Sequence, residues 1–181
     1  MKQTFSKTVI FLIIVISFSF KKNNPIAKKE EINWMTWEEV QVAHKEKPKK
    51  VFVDIYTHWC YWCKVMDTKT FRNPKVVSYI NEHYYAVKFN AETREDIVFK
   101  GNKYHYVKTG KRGYNELATS LMEGQMSFPT SVFLDENLDV LTNVGGFLEP
   151  KTIEPILSFF ATDSYLKQKW SQYEKTYISS F

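Results

Sequence analysis

The chain has 181 residues, of which 44% are hydrophobic and 25% charged, and its formal net charge at neutral pH is +5. This length suits one domain with short additional segments, and the composition excludes an intrinsically disordered chain. Lysines and acidic residues are interspersed along the sequence. The excess of positive charge therefore does not indicate a nucleic-acid-binding protein, and no nucleic-acid partner is predicted.

Residues 1–19 have the composition of a secretory signal peptide. Lys2 and Lys7 give a positively charged start, residues 9–16 are continuously apolar, and small residues alternate up to Ser19. We expect cleavage near Ser19, with export to an oxidising compartment such as the periplasm. The alternative is an uncleaved membrane anchor, although the apolar run is shorter than the roughly 20 residues that a spanning helix needs. Removal of Lys2 and Lys7 would leave a net charge of +3.

A polar linker, residues 20–33, precedes the expected domain, which spans residues 34–160. The first helix should begin at a capping box, with Thr36 as the N-cap and Glu39 as the third helical residue. It should end before Pro48, because the residue preceding a proline disfavours the helical conformation.

The central feature of the sequence is a β-branched, aromatic run at residues 51–56, which predicts a buried strand. The only two cysteines, Cys60 and Cys63, follow it at the start of a helical pattern that extends to about residue 70. A Cys-x-x-Cys pair in this position is typical of a thiol–disulfide redox site. The unpaired N–H groups of a helix start stabilise a thiolate. We therefore expect Cys60 to be the nucleophile, next to solvent, and Cys63 to lie one turn deeper and resolve the mixed disulfide.

The segment after the cysteines predicts a parallel βαβ unit, with a helix over residues 75–83 after Pro74 and a strand over residues 84–90. Residues 91–125 form an insertion with an expected hairpin around a Gly101-Asn102 turn and a helix over residues 114–122. The insertion is either a lid or partner-recognition element, or a structural addition that packs on the sheet edge.

The last part of the domain predicts an antiparallel pair of strands, residues 130–134 and 138–144, and a closing helix over residues 152–160. Residues 161–181 are predicted as a C-terminal helix docked on the domain, with a partner-binding helix as the alternative. This prediction depends on four large side chains at helical spacing: Leu166, Trp170, Tyr173 and Tyr177.

The stretch from Val53 to Lys64 resembles the thioredoxin superfamily, and most closely its exported bacterial thiol–disulfide oxidoreductases. Asp54 stands six residues before Cys60, where the family has a buried acid. Lys88 matches the lysine of the next parallel strand. Pro129, in Ser-Phe-Pro-Thr, matches the proline that is cis in the family and faces the disulfide.

This resemblance covers about residues 34–160 and implies an α/β, thioredoxin-like fold. A central mixed sheet would be flanked by helices, with the insertion preceding the cis-Pro loop. It also implies exchange of disulfides with protein substrates, without a cofactor. The expected partners are protein thiols and disulfides and a membrane-bound or soluble redox donor.

The resemblance suggests further roles around the cysteines. Asp54 is the candidate proton acceptor for Cys63, because burial raises the pKa of a carboxyl group, and Lys88 would moderate this by pairing with it. The alternative for Asp54 is a purely structural carboxylate. The candidate substrate contacts are Trp59, Trp62, Phe128 and Thr130, with simple packing as the alternative for Trp62.

The pair Tyr61-Trp62 stands where thioredoxin itself has Gly-Pro. It offers no positive charge to stabilise the Cys60 thiolate, which favours a reducing or isomerising role over a strongly oxidising one.

Three alternatives compete with redox chemistry. A structural zinc site needs four ligands, and neither the two cysteines nor the dispersed histidines provide them, so no metal is predicted. A static Cys60–Cys63 disulfide would close too small a loop to constrain the unfolded chain much. A non-catalytic binding module, which would hold a partner protein on its aromatic surface, remains open.

Overall fold

The computed structural model describes residues 30–179, so the expected signal peptide and most of the linker lie outside the described residues. The strands are β1 (Trp34–Met35), β2 (Val51–Tyr56), β3 (Tyr85–Asn90), β4 (Ile97–Phe99), β5 (Asn102–Tyr104), β6 (Tyr106–Thr109), β7 (Arg112–Asn115), β8 (Thr130–Leu134) and β9 (Val140–Gly145). The helices are α1 (Trp37–Glu46), α2 (Tyr61–Lys69), α3 (Pro74–His83), α4 (Glu116–Leu121), α5 (Pro150–Ala161) and α6 (Trp170–Thr176).

A five-stranded mixed sheet with the order β1-β3-β2-β8-β9 forms the centre of the molecule. The central strand β2 pairs in parallel with β3 and antiparallel with β8. The expected mixed sheet with a parallel βαβ unit is therefore confirmed. The two-residue strand β1, which pairs in parallel with β3, was not predicted because so short a segment carries no periodicity.

The two faces of the sheet bury separate apolar clusters, and β2 contributes to both because successive strand residues point to opposite faces. Phe52 belongs to the cluster that also contains residues of α2, α3 and α5. Val53 and Ile55 belong to the cluster that contains residues of α1, β4 and α4. By the same alternation, Asp54 lies on the α2 side of the sheet. This places a carboxylate behind the helix that follows Cys60.

The helix starts follow from local sequence. The capping box of α1 is confirmed: the Thr36 hydroxyl accepts a hydrogen bond from the Glu39 N–H at 3.2 Å, and the Thr36 N–H donates to the Glu39 carboxylate at 2.8 Å. Asn73 caps α3, and Pro74 occupies its first turn, where the missing N–H costs nothing.

The insertion differs from the prediction because it contains two hairpins rather than one. The turn of the first hairpin is Lys100-Gly101, and not Gly101-Asn102, because both turn residues have positive φ and Phe99 pairs with Asn102. The second hairpin, β6–β7, includes Tyr114, so the predicted helix over residues 114–122 begins two residues late, at Glu116. Pairing with β6 overrides the local helical pattern at this point.

The C-terminal segment is not one helix. A short 3-10 turn, Ser164–Leu166, follows Asp163, whose positive φ of 56° ends the preceding helical path. Leu166 is 71% exposed and does not join the docked face, which corrects its predicted role. Trp170 and Tyr173 of α6 pack on Phe159 of α5, with ring centroids 5.4 and 4.9 Å apart.

Among residues 30–179, no helix combines the length and the apolar character that crossing a membrane requires.

Candidate active site

The cysteine pair lies where the chain leaves the central strand β2 and enters α2. Cys60 is the N-cap of α2, and its Sγ accepts a hydrogen bond from the Cys63 N–H at 3.0 Å. The two cysteines form a disulfide, with their Cα atoms 5.3 Å apart. A sulfur at a helix N-cap is in the position where a thiolate is best stabilised, because the first N–H groups of a helix have no partner within it.

The expected difference in exposure between the two cysteines is small. Cys60 is 4% exposed and Cys63 is 2% exposed, so Cys60 is not the solvent-facing residue that the sequence suggested. What distinguishes the two sulfurs is therefore the N-cap hydrogen bond, which is directed at Cys60.

Three charged side chains, Asp54, Lys88 and Asp67, form a chain of contacts that leads from the interior of the protein to its surface at α2. Asp54 is 1% exposed, and its Oδ2 accepts a hydrogen bond from the Lys88 ammonium at 2.7 Å. Lys88 also contacts the carboxylate of Asp67, a residue of α2 whose side chain is 39% exposed. Asp67 was not among the predicted site residues.

Burial controls the ionisation of this group. Desolvation raises the pKa of Asp54, and the attraction of Lys88 only partly opposes it, while the nearby Asp67 carboxylate adds to the increase. Burial lowers the pKa of Lys88, but its bonds to Asp54 and Asp67 outweigh this effect and raise it overall. Lys88 therefore remains a cation, and Asp54 holds its proton to a higher pH than an ordinary carboxyl group. This is the property that a proton acceptor for Cys63 needs.

Two buried oxygens lie side by side in the sheet without a hydrogen-bond partner among the described residues: Asp54 Oδ1 and Ser131 Oγ. Asp54 and Ser131 are directly paired across β2 and β8, so their side chains share one face of the sheet. An unsatisfied oxygen in this position makes the charged form of Asp54 more costly.

The cis-Pro loop lies next to the cysteines, and the Phe128–Pro129 peptide bond is cis. Phe128 is half-buried and meets Trp59 edge-on, with ring centroids 5.8 Å apart, which brings the two loops together. Thr130, a predicted substrate contact, is 1% exposed, and its hydroxyl donates to the Ser127 carbonyl at 2.8 Å. Its side chain therefore stabilises the loop and does not face the surface.

An aromatic surface surrounds the disulfide. We define it as Trp59, Tyr61, Trp62, Phe128 and Phe147. The first three are 49%, 69% and 53% exposed, which is unusual for side chains of this size. Trp62 stacks on Phe147 with ring centroids 5.5 Å apart. The predicted packing role of Trp62 therefore applies to the part of its ring that Phe147 covers, and the rest of the side chain is exposed. Trp59 and Trp62 thus lie exposed beside the cysteines, and their role as substrate contacts stays a prediction. Tyr61 and Phe147 were not among the predicted substrate contacts.

The second hairpin of the insertion borders this surface. The Arg112 guanidinium lies 3.8 Å from the centroid of the Trp59 ring, and the Tyr114 ring lies 5.8 Å from that of Phe128. The first hairpin instead packs on α1, where the Gln41 side chain donates to the Val98 carbonyl at 2.9 Å. The β4–β5 hairpin thus packs on α1, whereas the β6–β7 hairpin lies beside the site. A lid or partner-recognition role of the insertion stays a prediction.

The histidines do not take part in a metal cluster. His58 contacts Asn90, at 3.2 Å, and the ring of Tyr56. Within residues 30–179, no three His, Cys, Asp or Glu side chains are grouped as a metal ion would require.

Solved structures with the same fold include three bacterial proteins. The structure of a thioredoxin-fold protein from Helicobacter pylori aligns with 69% of this chain and 76% of its own, at 18% identity and a TM-score of 0.54. A thioredoxin from Thermus thermophilus aligns with 74% of this chain and 89% of its own, at 16% identity and a TM-score of 0.55. A putative disulphide-isomerase from Bacteroides thetaiotaomicron aligns with 76% of this chain and 98% of its own, at 20% identity and a TM-score of 0.52. The thioredoxin-like fold is therefore confirmed.

Curated relatives are much longer proteins. An uncharacterized protein from Caenorhabditis elegans is 24% identical over 151 residues, which is 83% of this chain and 18% of the relative. Spermatogenesis-associated protein 20 from Homo sapiens is 22% identical over 151 residues, which is 82% of this chain and 17% of the relative. The chain thus spans less than a fifth of the length of either protein. The exported bacterial origin stays a prediction.

The Thioredox_DsbH family model, described as a protein of unknown function, DUF255, matches residues 25–180. This match covers the whole sheet, the cysteine pair, the insertion and the C-terminal helices. The chain therefore belongs to the Thioredox_DsbH family.

Proposed function

We propose that the protein is a thiol–disulfide oxidoreductase that exchanges disulfides with protein substrates through Cys60 and Cys63. The observation that carries this proposal is the disulfide between these residues, with the Cys60 sulfur at the N-cap of α2. The same position that accepts the Cys63 N–H bond stabilises the negative charge of a Cys60 thiolate once the disulfide is reduced.

The reaction proceeds in two exchanges from the dithiol form. The Cys60 thiolate attacks one sulfur of a substrate disulfide, a mixed disulfide forms, and the other substrate sulfur leaves as a thiolate. Asp54 takes the proton of the Cys63 thiol. The Cys63 thiolate then attacks the Cys60 sulfur, and the second substrate sulfur leaves. The substrate gains two electrons, and the protein ends as the Cys60–Cys63 disulfide.

The direction that we propose is reduction or isomerisation. The strongest oxidants of this kind have potentials near −120 mV, against about −270 mV for thioredoxin, because their reduced thiolate is unusually stable. Tyr61 and Trp62 add no positive charge between the cysteines, and the first turn of α2 holds no basic side chain before Lys64. Cys60 is thus left with the helix-start N–H groups as the main stabilisation for its thiolate.

We also propose that the protein acts after export, on protein thiols and disulfides, with a membrane-bound or soluble donor that restores the dithiol. The motivation is the composition of residues 1–19 and the persistence of disulfides in oxidising compartments.

Turnover of a disulfide-bonded protein with dithiothreitol as the donor tests the proposal. The wild type should accelerate reduction, whereas Cys60→Ser, Cys63→Ser and the double variant should all lose steady-state turnover. Each variant should be checked for an unchanged fold by circular dichroism. Wild-type turnover no faster than that of the double variant would contradict the proposal.

A second candidate function is a binding module without redox chemistry, and the exposed aromatic surface favours it. Comparison of the wild type with the double cysteine variant separates the two. A binding module would accelerate no disulfide reduction and would hold its partner equally with or without the sulfurs. An oxidoreductase would show turnover and a covalent intermediate that both disappear in the double variant.

A further inference from the structure

The tip of the β6–β7 hairpin concentrates positive charge. We define the cationic tip as Lys108, Lys111 and Arg112, which lie within five consecutive residues of a hairpin that contains no Asp or Glu. All three are exposed. None of them forms an ion pair with another of the residues that the structure describes, from 30 to 179, so their charge is directed to solvent.

The cationic tip is fixed to the aromatic surface by its own hairpin. Arg112 and Tyr114 are two residues apart on β7 and therefore share one face of the hairpin. They contact Trp59 and Phe128 respectively, and these two rings also contact each other. A guanidinium stacked on an indole keeps the N–H groups along its edge free, and this edge matches the two oxygens of a carboxylate.

Three acidic side chains in segments that adjoin the hairpin already have partners. The Glu92 carboxylate accepts the indole N–H of Trp59 at 3.0 Å. Asp96 pairs with Lys103 and His105, and Glu116 accepts the His105 backbone N–H at 2.8 Å. The positive charge of the tip is thus left without a carboxylate among the described residues of this chain.

We propose that the aromatic surface and the cationic tip together bind an acidic, extended segment of the protein substrate, next to its disulfide. Apolar side chains beside the substrate cysteine pack on Trp59 and Trp62. Carboxylates a few residues away reach Lys108, Lys111 and the edge of Arg112. This inference rests on the proposed function and adds the substrate class to it.

Three peptides that share one intramolecular disulfide and differ only in flanking residues, Glu, Gln or Lys, test the proposal. The wild type should reduce the acidic peptide with the highest kcat/KM, and the advantage should shrink with added salt. Lys108→Glu combined with Lys111→Glu should lower the ratio of acidic to neutral kcat/KM by about threefold to tenfold, because charge complementarity mainly sets the association rate.

Lys167→Glu combined with Lys169→Glu is the matched control. These lysines follow Asp163, which pairs with Lys50 at the start of β2, whereas Cys60 follows the end of that strand. The same change of charge at this opposite end of the sheet should leave the ratio unchanged. Equal ratios for the tip variant and the wild type, or equal effects of both double variants, would overturn the inference.

A binding measurement separates this inference from the proposed function. The protein without both cysteines should bind a cysteine-free acidic peptide and not its Gln version, as followed by tryptophan fluorescence. Failure to reduce any of the three disulfide peptides would contradict the proposed function, while this binding would still support the surface. Absence of binding to both peptides would overturn the surface itself. So would a dimer, seen by sedimentation, that dissociates when Lys108 and Lys111 are replaced by Glu.

Discussion

Replacement of Asp54 by Asn should make the oxidised protein more stable at neutral and alkaline pH and leave it nearly unchanged in acid. Asp54 is 1% exposed, and its Oδ1 has no hydrogen-bond partner among the described residues. A buried polar group left without a partner costs about 1–3 kcal/mol, and more when it is charged. Asn removes the charge at nearly constant volume, and Lys88 keeps Asp67 as a partner.

The sign of the pH dependence follows from the raised pKa of Asp54. In the unfolded chain the pKa of Asp54 is about 3.9. Between this pH and its higher pKa in the folded protein, the folded state holds a proton on Asp54 that the unfolded state has released. The contribution of Asp54 to stability is therefore complete below the unfolded pKa and is lost as the pH rises through the folded one. The Asp54→Asn variant has no such loss. Its free energy of unfolding should therefore exceed that of the wild type by about 1–3 kcal/mol at a pH above the folded pKa of Asp54.

Urea unfolding of both proteins with the disulfide intact, at about pH 4 and about pH 8, measures this difference. Asp67→Asn is the control, because removal of its carboxylate lowers the pKa of Asp54 and moves the window to lower pH. Its direct effect should be small, about 0–1 kcal/mol, since this side chain is 39% exposed. An Asp54→Asn variant that is less stable than the wild type at the higher pH, or a difference that does not change with pH, would refute the reasoning.

Three further predictions concern the hairpin, the core and export. Gly113→Ala should lower the free energy of unfolding by about 1–3 kcal/mol, because its Cβ would lie 2.5 Å from the Tyr106 ring and 2.6 Å from the Val107 carbonyl oxygen. Urea unfolding with no change would mean that the hairpin can move aside. Phe133→Ala should cost about 3–5 kcal/mol, since this ring is fully buried against its neighbours; a loss below about 1 kcal/mol would contradict the close packing of the α2-side cluster. N-terminal sequencing of protein from an exporting bacterial host should begin near Phe20, and full-length protein in the cytoplasm would count against export.

Local patterns were sufficient for the elements that present the cysteines. A few neighbouring residues determine each of these features: the β-branched run of β2, the capping box at Thr36 and the Asn73-Pro74 start of α3. The resemblance to the thioredoxin superfamily indicated Asp54 and Lys88, and their direct pairing across the parallel strands β2 and β3 explains why the two side chains meet. These parts could therefore be predicted without knowledge of the tertiary structure.

Contacts between distant segments were not predictable in this way. Asp67 looks like any exposed acid on a helix until Lys88 is placed beside it. Arg112 lies more than fifty residues after Trp59, and nothing in the local sequence indicates that the two side chains stack. The sequence around Tyr114 has a helical pattern, but Tyr114 lies in β7 because its backbone pairs with Val107 of β6.

The central claim is that Cys60 attacks the substrate and Cys63 releases it, and the most direct test is to trap the intermediate between these steps. Cys63→Ser should accumulate partners covalently bound to Cys60, visible as high-mass bands that disappear on reduction. Cys60→Ser should trap far less, because Cys63 lacks the N-cap hydrogen bond that is directed at Cys60. The double variant should trap nothing. Equal trapping by the two single variants would contradict the assigned roles, and no trapping by either, with no reduction by the wild type, would contradict the redox function itself.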